Sequence, residues 1–570
     1  MHILRINTRT REARTEPVPP SWERLGGRGL IARILLDEVP PHAEPLGPKN
    51  ILIWAPGLLV GHRLSSCDRI SIGGKSPLTG GVKESNAGGS TGLAVAQLGL
   101  KALLLEDRPE DDRWSVIVVS PQGVRFDPAD DLVGLGVYES AERLLARYGK
   151  QAAISLIGPA GEMRLRAAGI QNLDRDGMPT RISARGGLGA VMGAKQVKAV
   201  VFLPDPKAKP PLADPAAFRE AQKVYNKALL AHPQTKVYHD YGTAAMAAMT
   251  SHFGSLPTRG FSEGYFEGWE RISGEALRER LLQRGKPSTP THACMSGCVI
   301  QCSNVYADPQ GEIITAPLEY ETIGLMGSNL GIDDLDVIAR LNHEANDLGL
   351  DTIDTGAALG VAGRAGILPW GDGEKALALM EEIRRGTPLG RILGSGAAVA
   401  GKVLGVEQVP AVKGQAMPAY EPRVIKGTGV TYATSPQGAD HTAGLTIRAK
   451  VDHLNPQGQA ELSRGAQISM AGYDTLGACI FAGFGFAAAP KDTIARLLRA
   501  RYGWDDVDES ILADLGKQTL ALEREFNRRA GFTPADDRLP EWMTREPVPP
   551  TGAVFDVPTE DLDTLFDGIE

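Results

Sequence analysis

Pro204-Asp205-Pro206-Lys207-Ala208-Lys209-Pro210-Pro211 separates two kinds of sequence. Proline fixes φ and removes a backbone donor, so this stiff, polar stretch continues neither a strand nor a helix and reads as a linker. Before it, the apolar runs are short and largely β-branched or aliphatic: Ile3–Ile6, Ile51–Trp54, Ala102–Leu105, Val116–Val119, Ile154–Ile157 and Val200–Leu203, divided by Gly, Pro and Asp. These are strand signals. Helical candidates are few there, Leu30–Leu36 and Thr91–Leu98 being the best. After the linker the period changes. Asp214-Pro215 offers an N-cap followed by proline in the first helical turn, and Phe218, Ala221, Tyr225 and Leu229 recur at helical spacing. Ser273 opens a second helix with Leu277, Leu281 and Leu282 on one side. A third runs from Asp333 or Asp334 through Ile338, Leu341 and Ala345 to Gly349, a good C-cap. Beyond a Pro- and Gly-rich passage from about residue 411, helices restart at Gln459, Thr493 and Ser510. The expectation is an α+β protein: a β-rich domain over 1–203, then mainly helical domains over 204–410 and 411–570.

A chain of 570 residues is long enough for several domains with large cores. Its 42% hydrophobic and 23% charged content is that of a soluble globular protein, and a net charge of −8 speaks against a nucleic-acid surface. The N-terminus has no apolar signal core and no twin-arginine pair, and the longest apolar stretch, Ala478 to Ala489, is too short and too glycine-broken to span a membrane. A cytoplasmic protein is expected. Five cysteines in so long a chain form no disulfide framework, which fits a reducing compartment.

Three of those five fall in Cys294-Met295-Ser296-Gly297-Cys298-Val299-Ile300-Gln301-Cys302, and Cys479 stands far downstream. Clustered thiolates plus one distant thiolate suit an iron–sulfur cube, in which each soft iron corner takes one ligand. Zinc is the metal alternative. The i, i+4, i+8 spacing is also that of buried cysteines on one helix face. A second pattern is an echo: Asn346-Asp347-Leu348-Gly349-Leu350-Asp351 and Asp474-Thr475-Leu476-Gly477-Ala478-Cys479 share one form, each where an apolar-periodic helix should stop. Two such helix ends could face one pseudo-symmetric ligand.

Familiar phosphate motifs fail. Gly74-Lys75-Ser76 lacks the first P-loop glycine, since Arg69 occupies its place. Gly187 to Gly193 resembles a loose dinucleotide loop, but Pro179 to Arg185 before it is polar and is not read as a buried strand. What remains is a set of Gly-rich polar loops: Lys75 to Gly81, Glu84 to Gly89, and Arg181 with Arg185-Gly186-Gly187. Backbone N–H groups and guanidinium groups of this kind suit the phosphates of a large cofactor.

Over nearly its whole length the chain resembles the tungsten-containing aldehyde:ferredoxin oxidoreductase family. The matching stretches include Gly26-Gly27-Arg28-Gly29-Leu30, Lys75 to Gly80, Asn86 to Gly89, Ile157 to Glu162, Arg185 to Gly193, Pro317-Leu318-Glu319-Tyr320-Glu321, both Asx-x-x-Gly motifs, and Glu523 to Pro547. The resemblance implies a β-rich domain cradling tungsten (or molybdenum) held by two pterin dithiolenes, covered by two helical domains, with an Fe4S4 cluster beside one pterin. It assigns Arg69, Asn86, Gly88, Arg181, Arg185, Gly186 and Gly187 to the pterin and its phosphates, which a Mg2+ can bridge. Asn346, Leu350, Asp351, Asp474 and Ala478 would meet pterin edges from the helical domains. Cys294, Cys298, Cys302 and Cys479 would hold the cluster; Glu321 and His441 would be the active-site carboxylate and imidazole. The implied reaction oxidises an aldehyde, or reduces an acid in reverse, with electrons leaving to ferredoxin or an Fe–S partner subunit; related members act on other substrates such as an aromatic thioester. A homo-oligomer is compatible, although Arg340 stands where some members carry a glutamate for a metal between subunits.

Overall fold

The computed structural model describes residues 1–569. Its first two hundred residues repeat one topology twice. Strands β1 (His2–Asn7), β2 (Glu12–Pro17), β3 (Leu52–Pro56), β4 (Ile70–Lys75), β5 (Val82–Ala87) and β6 (Leu100–Glu106) form a sheet of order β2-β1-β6-β3-β4-β5. Strands β7 (Ser115–Ser120), β8 (Gly123–Pro128), β9 (Ala153–Leu156), β10 (Ile170–Asn172), β11 (Arg181–Ser183) and β12 (Val197–Phe202) form a second, of order β8-β7-β12-β9-β10-β11. Each strand of the second sheet is the counterpart of the one six places earlier, and only β1/β6 and β7/β12 are parallel. Helices recur at matching points: α1 (Gly27–Glu38) and α2 (Thr91–Gln97) in the first half, α3 (Val137–Tyr148) and α4 (Leu188–Ala194) in the second.

The period-two alternation explains the layering. Leu4 and Ile6 of β1 and Val200 and Phe202 of β12 meet in one core between the sheets. Their neighbours turn outward under helices: Ile3 beneath Leu30 and Ile34 of α1, Ala199 and Val201 beneath Ala141 and Leu144 of α3. The central strands are therefore buried on both faces and read as continuous apolar runs, whereas the edge strands β2 and β8 are polar and largely exposed. Helix α3 was not among the expected elements, although Val137, Ala141 and Leu144 carry its period. The polar stretch read as non-strand contains β11, with Arg181 and Ser183 buried. It pairs antiparallel to β10 at the sheet edge, so the glycines after it still do not open a parallel dinucleotide unit.

The linker carries no helix or strand and lies on the first half: Pro206 and Ala208 carbonyls accept from Gln97, and the Pro210 ring covers Gly61. Helix α5 (Pro215–Ala231) starts where expected, with Asp214 Oδ1 accepting from Ala216 and Ala217 N–H at 3.0 and 2.9 Å. Ser273 caps α6 (Gly274–Arg284), whose Leu277 and Leu281 are buried. Leu282 is exposed, contrary to the sequence reading, because it lies 100° round the helix from Leu281. Helix α7 (Tyr320–Met326) follows the hairpin β13 (Thr289–His292) and β14 (Ser303–Ala307). Asp334 caps α8 (Leu335–Leu348), and Gly349 ends it at φ 75°. Gly477 ends α9 (Gln459–Leu476) at φ 78° in the same left-handed way, against α10 (Ile511–Arg529). Among the described residues no helix is long and apolar enough to cross a membrane.

Candidate functional site

The two glycine-capped helix ends dock on equivalent corners of the two sheets. After β3, Leu58 N–H donates to Thr475 O and Leu59 N–H to Leu476 O, at 3.1 and 2.9 Å. A Cβ on Gly57 would lie 2.0 Å from Gly477 N. After β9, a Cβ on Gly158 would lie 2.4 Å from Leu348 O, and Gly169 N–H donates to Gly349 O at 2.9 Å. Such approaches admit only glycine. The echo seen in the sequence is thus a structural pseudo-repeat, one helix end per sheet.

The first corner gathers Arg69, Asn86, Gly88 and Asp474. Arg69 donates to Asn86, whose Nδ2 reaches Asp474 Oδ1 at 3.1 Å, and Arg69 N–H binds Gly477 O at 3.2 Å. Ala478 is buried at the same turn. Arg28 of α1 holds Asp474 at 3.2 Å while forking onto Glu523 of α10 at 2.8 and 2.8 Å. The second corner gathers Arg185, Asp351, Asn346 and Leu350. Arg185 reaches Asp351 at 3.2 Å and the carbonyls of Ala416 and Ala439, while Leu350 bridges Ala168 and Asn346 meets Gln171. Gly186 and Gly187, at φ 83° and 74°, turn the chain beneath Lys83 and Pro77. The expected residues therefore fall into two groups, not one.

Against the first corner lies a cavity of about 350 Å3, lined from all parts of the chain. Arg69, Asn86, Gly88 and Arg181 come from the sheets; Cys294, Cys302 and Glu321 from the middle; His441, Asp474 and Cys479 from the last part. Arg185, Asn346 and Asp351 do not line it. The cysteine loop is irregular, closed by the β13–β14 hairpin, so the helix-face reading of its spacing fails. His292 at the end of β13 is tied to buried Asp174, Nε2 to Oδ2 at 2.9 Å, and this pins the loop to the second sheet. Cys298 Sγ lies 3.5 Å from Ser66 Oγ, and Cys479 N–H donates to Ser66 O at 2.7 Å. Among the described residues no three of the four sulfurs lie within 4.8 Å of one another. A tetrahedral zinc with bonds of about 2.3 Å draws its thiolates to about 3.8 Å. The arrangement fits a multi-iron cluster better than one ion.

Burial pushes the Cys294 thiol up to about 12, and the neighbouring Cys298 adds to this, against the guanidinium groups of Arg181 and Arg69. Burial likewise raises Cys302 and Cys479. Arg181 Nε and Nη2, on the cavity wall, are buried with no hydrogen-bond partner, which suits an anionic group there.

Glu321, on the first turn of α7, and His441, in a 3-10 turn, face each other across the cavity wall with Oε1 and Nε2 3.5 Å apart. Glu321 Oε2 accepts from Ala419 N–H at 2.8 Å, while Glu321 Oε1 and His441 Nδ1 are buried and unbonded. Burial raises the Glu321 pKa; His441, Ala419 N–H and Arg185 oppose this. Behind His441, Asp440 is held far below the usual carboxylate range: Lys83 Nζ lies 3.0 Å away and Arg185 3.9 Å, and together they outweigh its burial. Lys83, Asp174 and His292 were not singled out as site residues. Their partners lie 118 to 357 positions away, and no local spacing signals them.

An arginine-bearing corner, three cysteines and a carboxylate–imidazole pair thus meet around one cavity. The family models "Aldehyde ferredoxin oxidoreductase, N-terminal domain" and "Aldehyde ferredoxin oxidoreductase, domains 2 & 3" match residues 3–203 and 220–567. The chain belongs to this oxidoreductase family. It is 33% identical to a tungsten-containing aldehyde ferredoxin oxidoreductase of Thermococcus kodakarensis, over 96% of this chain and 92% of that one. It is 29% identical to the WOR-like subunit of an aliphatic sulfonate oxidoreductase of Pyrococcus furiosus, over 75% and 72%. The active-site complex BamBC of benzoyl coenzyme A reductase shares the fold, with a TM-score of 0.78 at 20% identity over 95% and 90% of the chains.

Proposed function

We propose that this enzyme oxidises aldehydes to carboxylates, RCHO + H2O → RCOO− + 3 H+ + 2 e−, and passes the electrons to ferredoxin or an Fe–S partner subunit. The observation that carries this is the Glu321–His441 pair on the wall of the cavity that three of the four cysteines also line. A bis-pterin tungsten (or molybdenum) centre supplies, when bound, a Lewis acid and a two-electron acceptor. In this reading Arg69, Asn86, Gly88, Arg181, Asp474 and Ala478 hold one pterin and its phosphate, while Arg185, Gly186, Gly187, Asn346, Leu350 and Asp351 hold the other. A Mg2+ would offset the charge of the two phosphates. Cys294, Cys298, Cys302 and Cys479 ligate an Fe4S4 cluster. The chain then comprises a pterin-cradling domain over 1–203 and helical domains over 204–410 and 411–570, each contributing to one site.

The protein's own groups handle water and protons. Glu321 Oε1 is free to accept a proton from the attacking water, and His441, opposite, orders that water and hands the proton outward. Asp440, fixed as an anion by Lys83 and Arg185, lies 3.8 Å from the other ring nitrogen of His441, Nδ1. Tyr238, Tyr420, Phe481, Met246 and Leu445 give the remaining wall an apolar face, suited to the body of a small aldehyde.

The test is a dye-linked assay: aldehyde oxidation with benzyl viologen, for the parent protein and for Glu321→Gln and His441→Ala. Each substitution is expected to lower kcat by about 10²–10⁴-fold with iron content unchanged. Parent-like rates in both variants would contradict the reading. The sulfonate and benzoyl-CoA relatives favour one second reading, the same cofactors acting on a different substrate. It predicts a cofactor-loaded protein inert toward aldehydes and active in a low-potential reductive assay with an aromatic thioester.

A further inference from the structure

Leu64, Ser65, Ser66 and Cys67 make a tight turn between β3 and β4, closed by Cys67 N–H donating to Leu64 O at 3.0 Å. Ser66, its third residue, sits at φ 62°, a left-handed conformation that turns normally give to glycine. Both serines are buried. A hydroxyl is what a glycine at this point would lack, and two contacts show what the turn holds. Ser66 O accepts from Cys479 N–H at 2.7 Å, and Ser66 Oγ lies 3.5 Å from Cys298 Sγ. One residue thus grips a thiol-bearing segment from the middle of the chain and another from its last part. Among the described residues Cys298 is the only one of Cys294, Cys298, Cys302 and Cys479 whose sulfur has a hydroxyl partner.

The hydrogens run one way. Ser65 Oγ accepts from Val299 N–H at 3.1 Å and lies 3.5 Å from Ser66 Oγ. The Ser65 hydroxyl still has its proton to give, and among the described residues Ser66 Oγ is its one neighbouring acceptor. Ser66 then gives its own proton to Cys298 Sγ. A metal-bound thiolate carries no proton and can only accept, so all three donors are satisfied in this sense. The opposite sense, a thiol giving to Ser66 and Ser66 to Ser65, leaves the buried Ser65 proton without an acceptor. Tyr225 OH fixes the Ser65 carbonyl from below at 2.9 Å. Cys298 shares one apolar core with Leu64, Cys67, Tyr225, Met295 and Ile300, and in such surroundings a hydrogen bond is stronger than in water.

We propose that Ser66, backed by Ser65, is a positioning residue that raises the reduction potential of the cluster through Cys298. The proposal rests on the preceding reading that the four thiols hold an Fe–S cluster. Reduction adds one electron and one negative charge to such a cluster and breaks no bond. A donor aimed at a ligand sulfur stabilises the added charge, so the reduced state gains more from it than the oxidised state. The serine pair makes the cluster a readier acceptor for electrons released in the cavity. It acts at the one thiol of the four that does not line that cavity.

The test is a redox titration of the cofactor-loaded protein, purified without oxygen, that follows the EPR signal of the reduced cluster and the iron per chain. It compares the parent with Ser66→Gly, Ser66→Ala and Ser65→Ala. Glycine suits φ 62° and lacks the hydroxyl, so Ser66→Gly keeps the turn. Both Ser66 variants are expected to retain iron and to lower the midpoint potential by about 59 mV, the one-electron equivalent of a tenfold smaller ratio of reduced to oxidised cluster. Ser65→Ala is expected to shift it the same way by less. An unchanged or raised potential in both Ser66 variants, with iron retained, would overturn the proposal. Should both lose iron, Ser65→Ala decides, since its hydroxyl meets no cysteine sulfur. A downward shift there upholds the relay, and no shift overturns it. A parent protein without an Fe–S signal would instead strike the cluster reading on which the proposal rests.

Discussion

Glu321 has to ionise where water cannot stabilise the charge, and its burial raises the pH at which it does so. In the proposed role as base, Glu321 works only when deprotonated. The acid limb of kcat/KM is therefore expected above the ordinary carboxylate value of 4.5, with activity lost as pH falls through it, and Glu321→Gln is expected to remove the limb with the activity. A pH profile of the dye-linked assay checks this. Glu84 offers a stability counterpart. Burial pushes it up to about 8, Asp474 adds like-charge repulsion, and Ser71 and Arg28 oppose. Between 4.5 and about 8 the folded chain keeps a proton that the unfolded chain has released, so this group's contribution falls as pH rises through that window. Thermal unfolding of Glu84→Gln is expected to show a flatter decline of Tm with pH than the parent over that range. Residues of this kind divide sharply in legibility. Cysteines are rare enough to announce themselves, whereas a buried Glu84 or Lys83 looks like any strand residue until its partners are in place.

At the level of elements, the period of the sequence placed the capped helices but missed α3 and β11. Caps at Asp214, Ser273 and Asp334 and glycine stops at Gly349 and Gly477 all appear where local chemistry put them. What local chemistry could not show is docking, because a glycine's reason lies in a backbone hundreds of positions away. Gly57 illustrates this. A Cβ there meets Gly477 N at 2.0 Å, and a backbone atom cannot yield as a side chain tip can. Gly57→Ala is expected to displace the end of α9 and Cys479 with it, lowering iron per chain, whereas Gly465→Ala on the same helix has open space and leaves iron unchanged. Arg28 ties α1, α9 and α10 together through Asp474 and Glu523. Arg28→Ala strands two buried carboxylates and is expected to cost about 3–5 kcal/mol, read as a lower urea midpoint.

Over the whole molecule, the duplicated sheets explain why the expected binding residues split into two groups. Each half brings one strand-end corner and receives one helix end, and the cavity with Glu321, His441 and three of the thiols opens at the first of them. The two halves share no obvious sequence repeat; the duplication lives in strand order and connection, which side chains only loosely encode. The site needs distant parts of the chain at once, so the assembled molecule is the unit that binds cofactor. The most direct measurement is elemental and pterin analysis of protein purified without oxygen after growth with tungstate and molybdate. The account predicts one tungsten or molybdenum, two pterins and four irons per chain. Zinc without pterin would contradict it.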